Sequence, residues 1–175
     1  MPGSLAFLLA ICVLCLHQQM AQACSCYPTH RQVKFCSSDI GKIYHFARKM
    51  NLIKIYTPSS GAACGIHLTL NEEYVLGGRV NSEGKFMVRS CDLVLEWNRL
   101  TVSEKYHIEH LYKKGCGCKI KGCLNHPCPA ATPKECLWKD VGNTLPCLPC
   151  KDGTCQWTCD FPFPNQVGLK NAIKP

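Results

Sequence analysis

The 175-residue chain is short of the features that would make it an enzyme or a membrane protein. Ser25, Ser37 and Ser38 have no nucleophile-elbow context to activate them. There is no H-E-x-x-H zinc motif; His107 and His110 are three residues apart rather than four. They are expected opposite the apolar stripe of their helix, on a solvated face. Glu72 and Glu73 are adjacent, and on a strand they would point to opposite faces, so they make no acid/base pair. No N-x-S/T sequon is present, and N-glycosylation is not expected. Beyond the first residues no segment is long and apolar enough to cross a bilayer, so membrane insertion is not expected. Nucleic acid is a poor partner for a chain without a stacking motif. The expectation is a binding protein, not an enzyme, with no cofactor of its own.

What the chain has in abundance is cysteine, 16 in all. Residues 1–23 read as a secretory signal, although residues 1–4 carry no Lys or Arg. An apolar run over 5–16 is too short to span a membrane, and Ala21-Gln22-Ala23 is a small-x-small cleavage site before Cys24. A bacterial lipobox would instead want an aliphatic residue at Ala21 and a small one at Gln22. Cleavage removes Cys12 and Cys15 and leaves an even set, which in a secreted chain implies a disulfide framework. In the cytosol Cys116-Gly-Cys118 and the Cys123/Cys128 pair would suggest zinc; behind a signal they read as bridges. The net charge of +8 fits a solubilising surface, or attraction to sulfated glycosaminoglycans of the matrix. Lys113, Lys114, Lys119 and Lys121 form the densest basic group.

Cysteine density divides the mature chain into residues 24–116, with strand-like segments, and residues 117–175, rich in Pro and Gly with an irregular tail. Thr29 and Gln32 resemble a capping box opening a short helix through Phe35. Residues 52–57 and 65–70 read as strands, the latter on the alternation of Ile66, Leu68 and Leu70 with His67 and Thr69. Residues 73–76 and 85–89 look like two more, joined through a turn over 81–84. Thr101 and Glu104 form a second capping box, whose helix carries Ile108, Leu111 and Tyr112 as its stripe and ends at Gly115. The fold class expected is mainly β with peripheral helices (α+β), built as a small closed or nearly closed barrel.

The sharpest chemistry is at the new terminus. Cleavage exposes a Cys24 α-amine whose ordinary pKa near 8 leaves a useful neutral fraction at neutral pH. Amine nitrogen and carbonyl oxygen of one residue close a five-membered chelate on a metal. Catalytic zinc keeps one position open for water, and a chelate arriving there displaces the water that hydrolysis needs. If Cys24 and Cys26 are both bridged to the body, the tip is held extended and binding costs little ordering entropy. Spacing alone favours the plainer reading, two cysteines that merely staple a terminus.

The run C-S-C-Y-P-T-H over residues 24–30, with Gln32, Phe35 and Cys36, resembles the start of the tissue inhibitors of metalloproteinases. The likeness continues through residues 56–65, Gly84, Lys85, Cys91, residues 116–120, Pro127, Cys128 and residues 135–138. The resemblance implies a netrin-like OB-fold inhibitory domain over residues 24–116 and a small disulfide-rich domain over residues 117–175. It also implies secretion, and one-to-one inhibition of matrix metalloproteinases and related zinc proteases. By analogy Cys24 chelates the target's zinc and Ser25 enters the adjoining pocket. Cys26, Tyr27 and Pro28 then line the cleft, with Gly61, Ala62 and Ala63 as a second contact. The implied bridges are Cys24–Cys64, Cys26–Cys91, Cys36–Cys116, Cys118–Cys155, Cys123–Cys128 and Cys136–Cys147; Cys150 and Cys159, additional to the family pattern, pair by elimination. Three departures stand out: Arg31 replaces a proline, the Cys36-to-Cys64 stretch is short, and the chain is compressed between Trp138 and Cys147. The shortened stretch leaves residues 40–50, with Ile43, Phe46 and Met50 for burial, in place of two long strands. A barrel missing a strand exposes edges, so the alternative is a non-inhibitory netrin-like module binding matrix or a receptor.

Overall fold

A computed structural model of the chain describes residues 24–39, 54–124, 127–157 and 159. The signal over 1–23, the segment 40–50, the start of the 52–57 strand and the tail beyond residue 159 lie outside the described residues. Short strands dominate, with few helices. Helix α1 covers Arg31–Cys36, β1 Ile55–Tyr56, β2 Tyr74–Leu76, β3 Arg79–Val80, β4 Phe86–Met87 and β5 Val94–Glu96. Helix α2, Val102–Tyr106, runs into a wider π turn over His107–Leu111. There follow β6 Lys119–Gly122, β7 Glu135–Trp138, β8 Leu148–Pro149 and β9 Cys155–Gln156. The strands form four small sheets, β1-β4-β3, β2-β5, β6-β7 and β8-β9, and among the described residues none closes into a barrel.

The order of pairing differs from the hairpin expected from sequence. The turn over residues 81–84 joins β3 to β4 antiparallel, with Val80 opposite Phe86. Asn81 Oδ1 accepts the main-chain N–H of Glu83 and Lys85, and Gly84 takes a left-handed φ of 74° that spares a side chain strain. Strand β2 instead pairs antiparallel with β5, with Val75 opposite Leu95. Residues 65–70 form no strand. Ile66 and Leu68 do pack against Leu76, Phe86 and Val88 while His67 is exposed, but Leu70 stands 87% exposed. Alternation there records one-sided burial without a ladder partner.

The cores differ in kind. Phe35, Val75, Leu93, Ile108 and Tyr112 pack α1 and the π turn after α2, with Tyr112 at its end, against the β2-β5 pair. Near the other end Cys118, Cys136, Cys147 and Cys155 are themselves the buried cluster, with Ile120 and Trp157 against it. Two cross-links do there what a larger apolar core does elsewhere.

Helix α2 begins as its sequence predicts. Thr101 Oγ1 accepts the Glu104 N–H at 3.2 Å, and Glu104 Oε2 accepts the Thr101 N–H at 2.9 Å. Two other expectations need correction. His107 is buried, not solvated, because it precedes Leu111 by four residues and so shares its side of the helix. Its Nε2 lies 3.2 Å from Ser103 Oγ, while His110 remains exposed. At α1 the cap is His30, not Thr29: His30 Nδ1 accepts the Gln32 N–H at 3.1 Å, and Thr29 Oγ1 donates to the Tyr27 carbonyl. Gln32 is drawn away from any capping box by partners distant in sequence.

Candidate functional site

Residues 24–28 form no regular element, and Ser25, Cys26, Tyr27 and Pro28 are exposed. Two bridges hold this segment down. Cys24 is bonded to Cys64 with Cα atoms 5.1 Å apart, and Cys26 to Cys91 at 5.3 Å. The tip is therefore fixed at both cysteines without a ladder covering its main chain.

The Cys24–Cys64 bridge brings a second exposed segment alongside. Gly61–Ala63 is a single 3-10 turn, capped by Ser60, whose Oγ accepts the Ala63 N–H at 3.3 Å. Cys64 closes the turn in the left-handed region at φ 64°, donating its N–H to the Gly61 carbonyl. Such a φ is uncommon for a side-chain-bearing residue and is held here by the cross-link and the hydrogen bonds around it. Gly65 follows under constraint: a Cβ there would lie 2.2 Å from the Pro58 carbonyl oxygen. The remaining bridges are Cys36–Cys116, Cys118–Cys155, Cys123–Cys128, Cys136–Cys147 and Cys150–Cys159.

A third part of the site was not singled out from sequence. Ser90 donates its N–H to the Cys64 carbonyl at 2.9 Å, and its Oγ lies 3.2 Å from Cys24 Sγ. Its only signal in the sequence is its place beside Cys91. Asp92 braces this turn by accepting the Arg89 N–H at 2.8 Å, and Lys34 on α1 donates to the Asp92 carbonyl.

The sulfurs of Cys24, Cys26 and Cys91 lie within 4.8 Å of one another, close enough to suggest a metal centre. All three are spent in disulfides, so no thiolate is on offer. What remains at Cys24 for a metal is its main chain.

Behind the exposed edge the chain dives into the body. His30 is buried against the rings of Trp138, Trp157 and Tyr112, at centroid distances of 5.6, 5.3 and 6.2 Å. Because Nδ1 accepts from Gln32, the proton of the neutral ring sits on Nε2, which makes no hydrogen bond of normal geometry. Burial, helped by the Arg31 charge, pushes its pKa down to about 4, against partial relief from the main chain of Asn143 and Leu145. Gln32 Nε2 donates to the carbonyls of Gly115 and Cys147, and its Oε1 accepts the Cys147 N–H at 2.8 Å. One buried amide thus ties the helix behind the edge to the cysteine cluster. Arg31 pairs with Glu104, tying the first turn of α1 to α2 by charge.

Comparison with known proteins bears on the family. The family model described as tissue inhibitor of metalloproteinase matches residues 40–157. Metalloproteinase inhibitor 3 of Gallus gallus is 30% identical, the match covering 94% of this chain and 95% of the relative. Metalloproteinase inhibitor 3 of Scyliorhinus torazame is 30% identical over 99% of this chain and 97% of its own length. Metalloproteinase inhibitor 2 of Rattus norvegicus is 29% identical over 88% and 90%. The chain belongs to the tissue inhibitor of metalloproteinase family.

Proposed function

We propose that the chain is a secreted inhibitor of zinc metalloproteases, acting through residues 24–28 once residues 1–23 are removed. The observation that carries this reading is the double tether: an exposed tip fixed at Cys24 and Cys26 beside the exposed Gly61–Ala63 turn. The names of the relatives support it, and no helix among the described residues is long and apolar enough to cross a membrane.

In this reading the neutral Cys24 amine and its carbonyl chelate the protease's zinc and displace the water it activates. Ser25 enters the pocket beside the metal, Cys26, Tyr27 and Pro28 follow the cleft, and Gly61, Ala62 and Ala63 close its other side. Pre-fixing both segments removes much of the ordering cost of a one-to-one complex. Residues 24–116 make the inhibitory domain, an open form of the netrin-like OB fold, and residues 117–175 the smaller disulfide-rich one. The excess of basic residues adds a route to sulfated glycosaminoglycans in the matrix.

The test is chemical. Mature protein is titrated against a matrix metalloproteinase catalytic domain before and after selective acetylation of the α-amine. Stoichiometric inhibition that acetylation abolishes is expected; unchanged inhibition after acetylation refutes the chelate. No inhibition by the untreated protein refutes the inhibitor reading as a whole.

A further inference from the structure

The two bridges that hold the edge lie against each other at the surface. Cys24 Sγ, bonded to Cys64, is 3.7 Å from Cys91 Sγ, which is bonded to Cys26. Cys26 is exposed, and Cys24, Cys64 and Cys91 are half-buried. By contrast the bridges Cys118–Cys155 and Cys136–Cys147 are packed inside a buried cluster and shielded from attack. Exchange between disulfides needs an accessible sulfur to attack, a thiolate that leaves easily and a second disulfide within its reach. The edge meets all three conditions. Ser90 Oγ, 3.2 Å from Cys24 Sγ, is placed to donate a hydrogen bond to a thiolate formed there. On a chain that begins at Cys24, the α-ammonium of the same residue also favours the thiolate.

We infer that Cys24–Cys64 and Cys26–Cys91 form an exchangeable pair through which an external monothiol such as glutathione re-tethers the edge. The glutathione thiolate attacks Cys64 Sγ, a mixed disulfide forms at Cys64, and Cys24 leaves as a thiolate. Freed from Cys64, the Cys24 side chain rotates and attacks Cys91 Sγ; the Cys24–Cys91 bond forms and Cys26 leaves as a thiolate. Two disulfides and one thiolate enter and two disulfides and one thiolate remain, so no separate oxidant or reductant is consumed. The product ties Cys24 to residue 91 and releases it from the Gly61–Ala63 turn. The edge then no longer presents its two halves together. That the exchange silences inhibition rests on the function proposed above; the exchange itself does not.

The experiment reads the bonds directly. Mature protein with all bridges formed is incubated with glutathione, quenched in acid, alkylated, digested and analysed by mass spectrometry. Expected are a Cys24–Cys91 disulfide peptide, glutathione on Cys64 and alkylated Cys26, appearing together. Opening of Cys24–Cys64 with Cys24 alkylated and Cys26–Cys91 intact overturns the inference, as does prior opening of another bridge. In a Cys26→Ser/Cys91→Ser variant the same treatment should leave Cys24 alkylated; a disulfide from Cys24 to some other cysteine would also overturn it. Inhibition assayed on the same samples should fall in step with the Cys24–Cys91 peptide, and full inhibition after complete conversion refutes the regulatory role. Failure of untreated protein to inhibit counts against the proposed function alone, since the peptide readout needs no protease.

Discussion

Acidification should weaken the fold chiefly through His30, held down at about 4 by its burial. In the unfolded chain a histidine titrates near 6.5, whereas folded His30 is held down at about 4 by burial among Trp138, Trp157 and Tyr112 and by the neighbouring Arg31. A depressed histidine binds more protons unfolded than folded between those values. Stability is therefore full above about pH 6.5 and declines as pH falls towards about 4. The whole gap is worth about 3 kcal/mol, of which about 2 kcal/mol is lost between about pH 7 and about pH 5. His107, also depressed by burial, acts in the same direction, while the lowered carboxyl of Glu104 acts only below the ordinary carboxylate range. The assay is urea unfolding with the disulfides intact, at about pH 7.5 and about pH 5, where the His30 contribution should move the midpoint by about 1 M. A His30→Asn variant keeps a side-chain acceptor at the cap of α1 and has no proton to gain. It should start less stable and lose less on acidification by about the amount assigned to His30. Equal losses in the two proteins would refute the assignment.

Three other substitutions probe the supports of the edge. Gln32→Ala removes three buried hydrogen bonds and orphans the Cys147 N–H, and should cost about 3 kcal/mol or more in urea unfolding. Gly65→Ala sets a Cβ 2.2 Å from the Pro58 carbonyl oxygen; forced movement of that backbone should cost about 1–3 kcal/mol, read as a lower thermal midpoint, and weaken inhibition through the displaced Gly61–Ala63 turn. Thr101→Ala opens the capping box of α2 and should cost about 1 kcal/mol, measured by denaturant unfolding, with inhibition unchanged.

Legibility in the sequence followed the range of the interaction. The Thr101/Glu104 box was readable because both halves of the cap lie within four residues and need nothing else. The turn at Asn81 and Gly84 was readable for the same reason, but the strands it joins were not. Nearness in sequence points residues 73–76 to that hairpin, whereas the register that buries Val75 and Leu76 is found at residues 94–96. The cap of α1 is not legible locally, because Gln32, which fits a capping pattern, gains more from the main chain of Cys147, 115 residues away.

What the sequence by itself determined is the chemistry available: a dense set of cysteines, with Cys24 and Cys26 two apart and Cys64 and Cys91 further along the chain. Cysteine parity requires bridges but does not choose partners, and a terminal amine is only a potential ligand until something holds it still. Tertiary structure decided those matters. It set Cys24 against Cys64 and Cys26 against Cys91, stood Ser90 beside the first, and buried His30 and Gln32 as the anchor behind them. The reason is distance along the chain: those contacts close loops of 40 to 115 residues, and only the packed fold compensates the entropy of closing them.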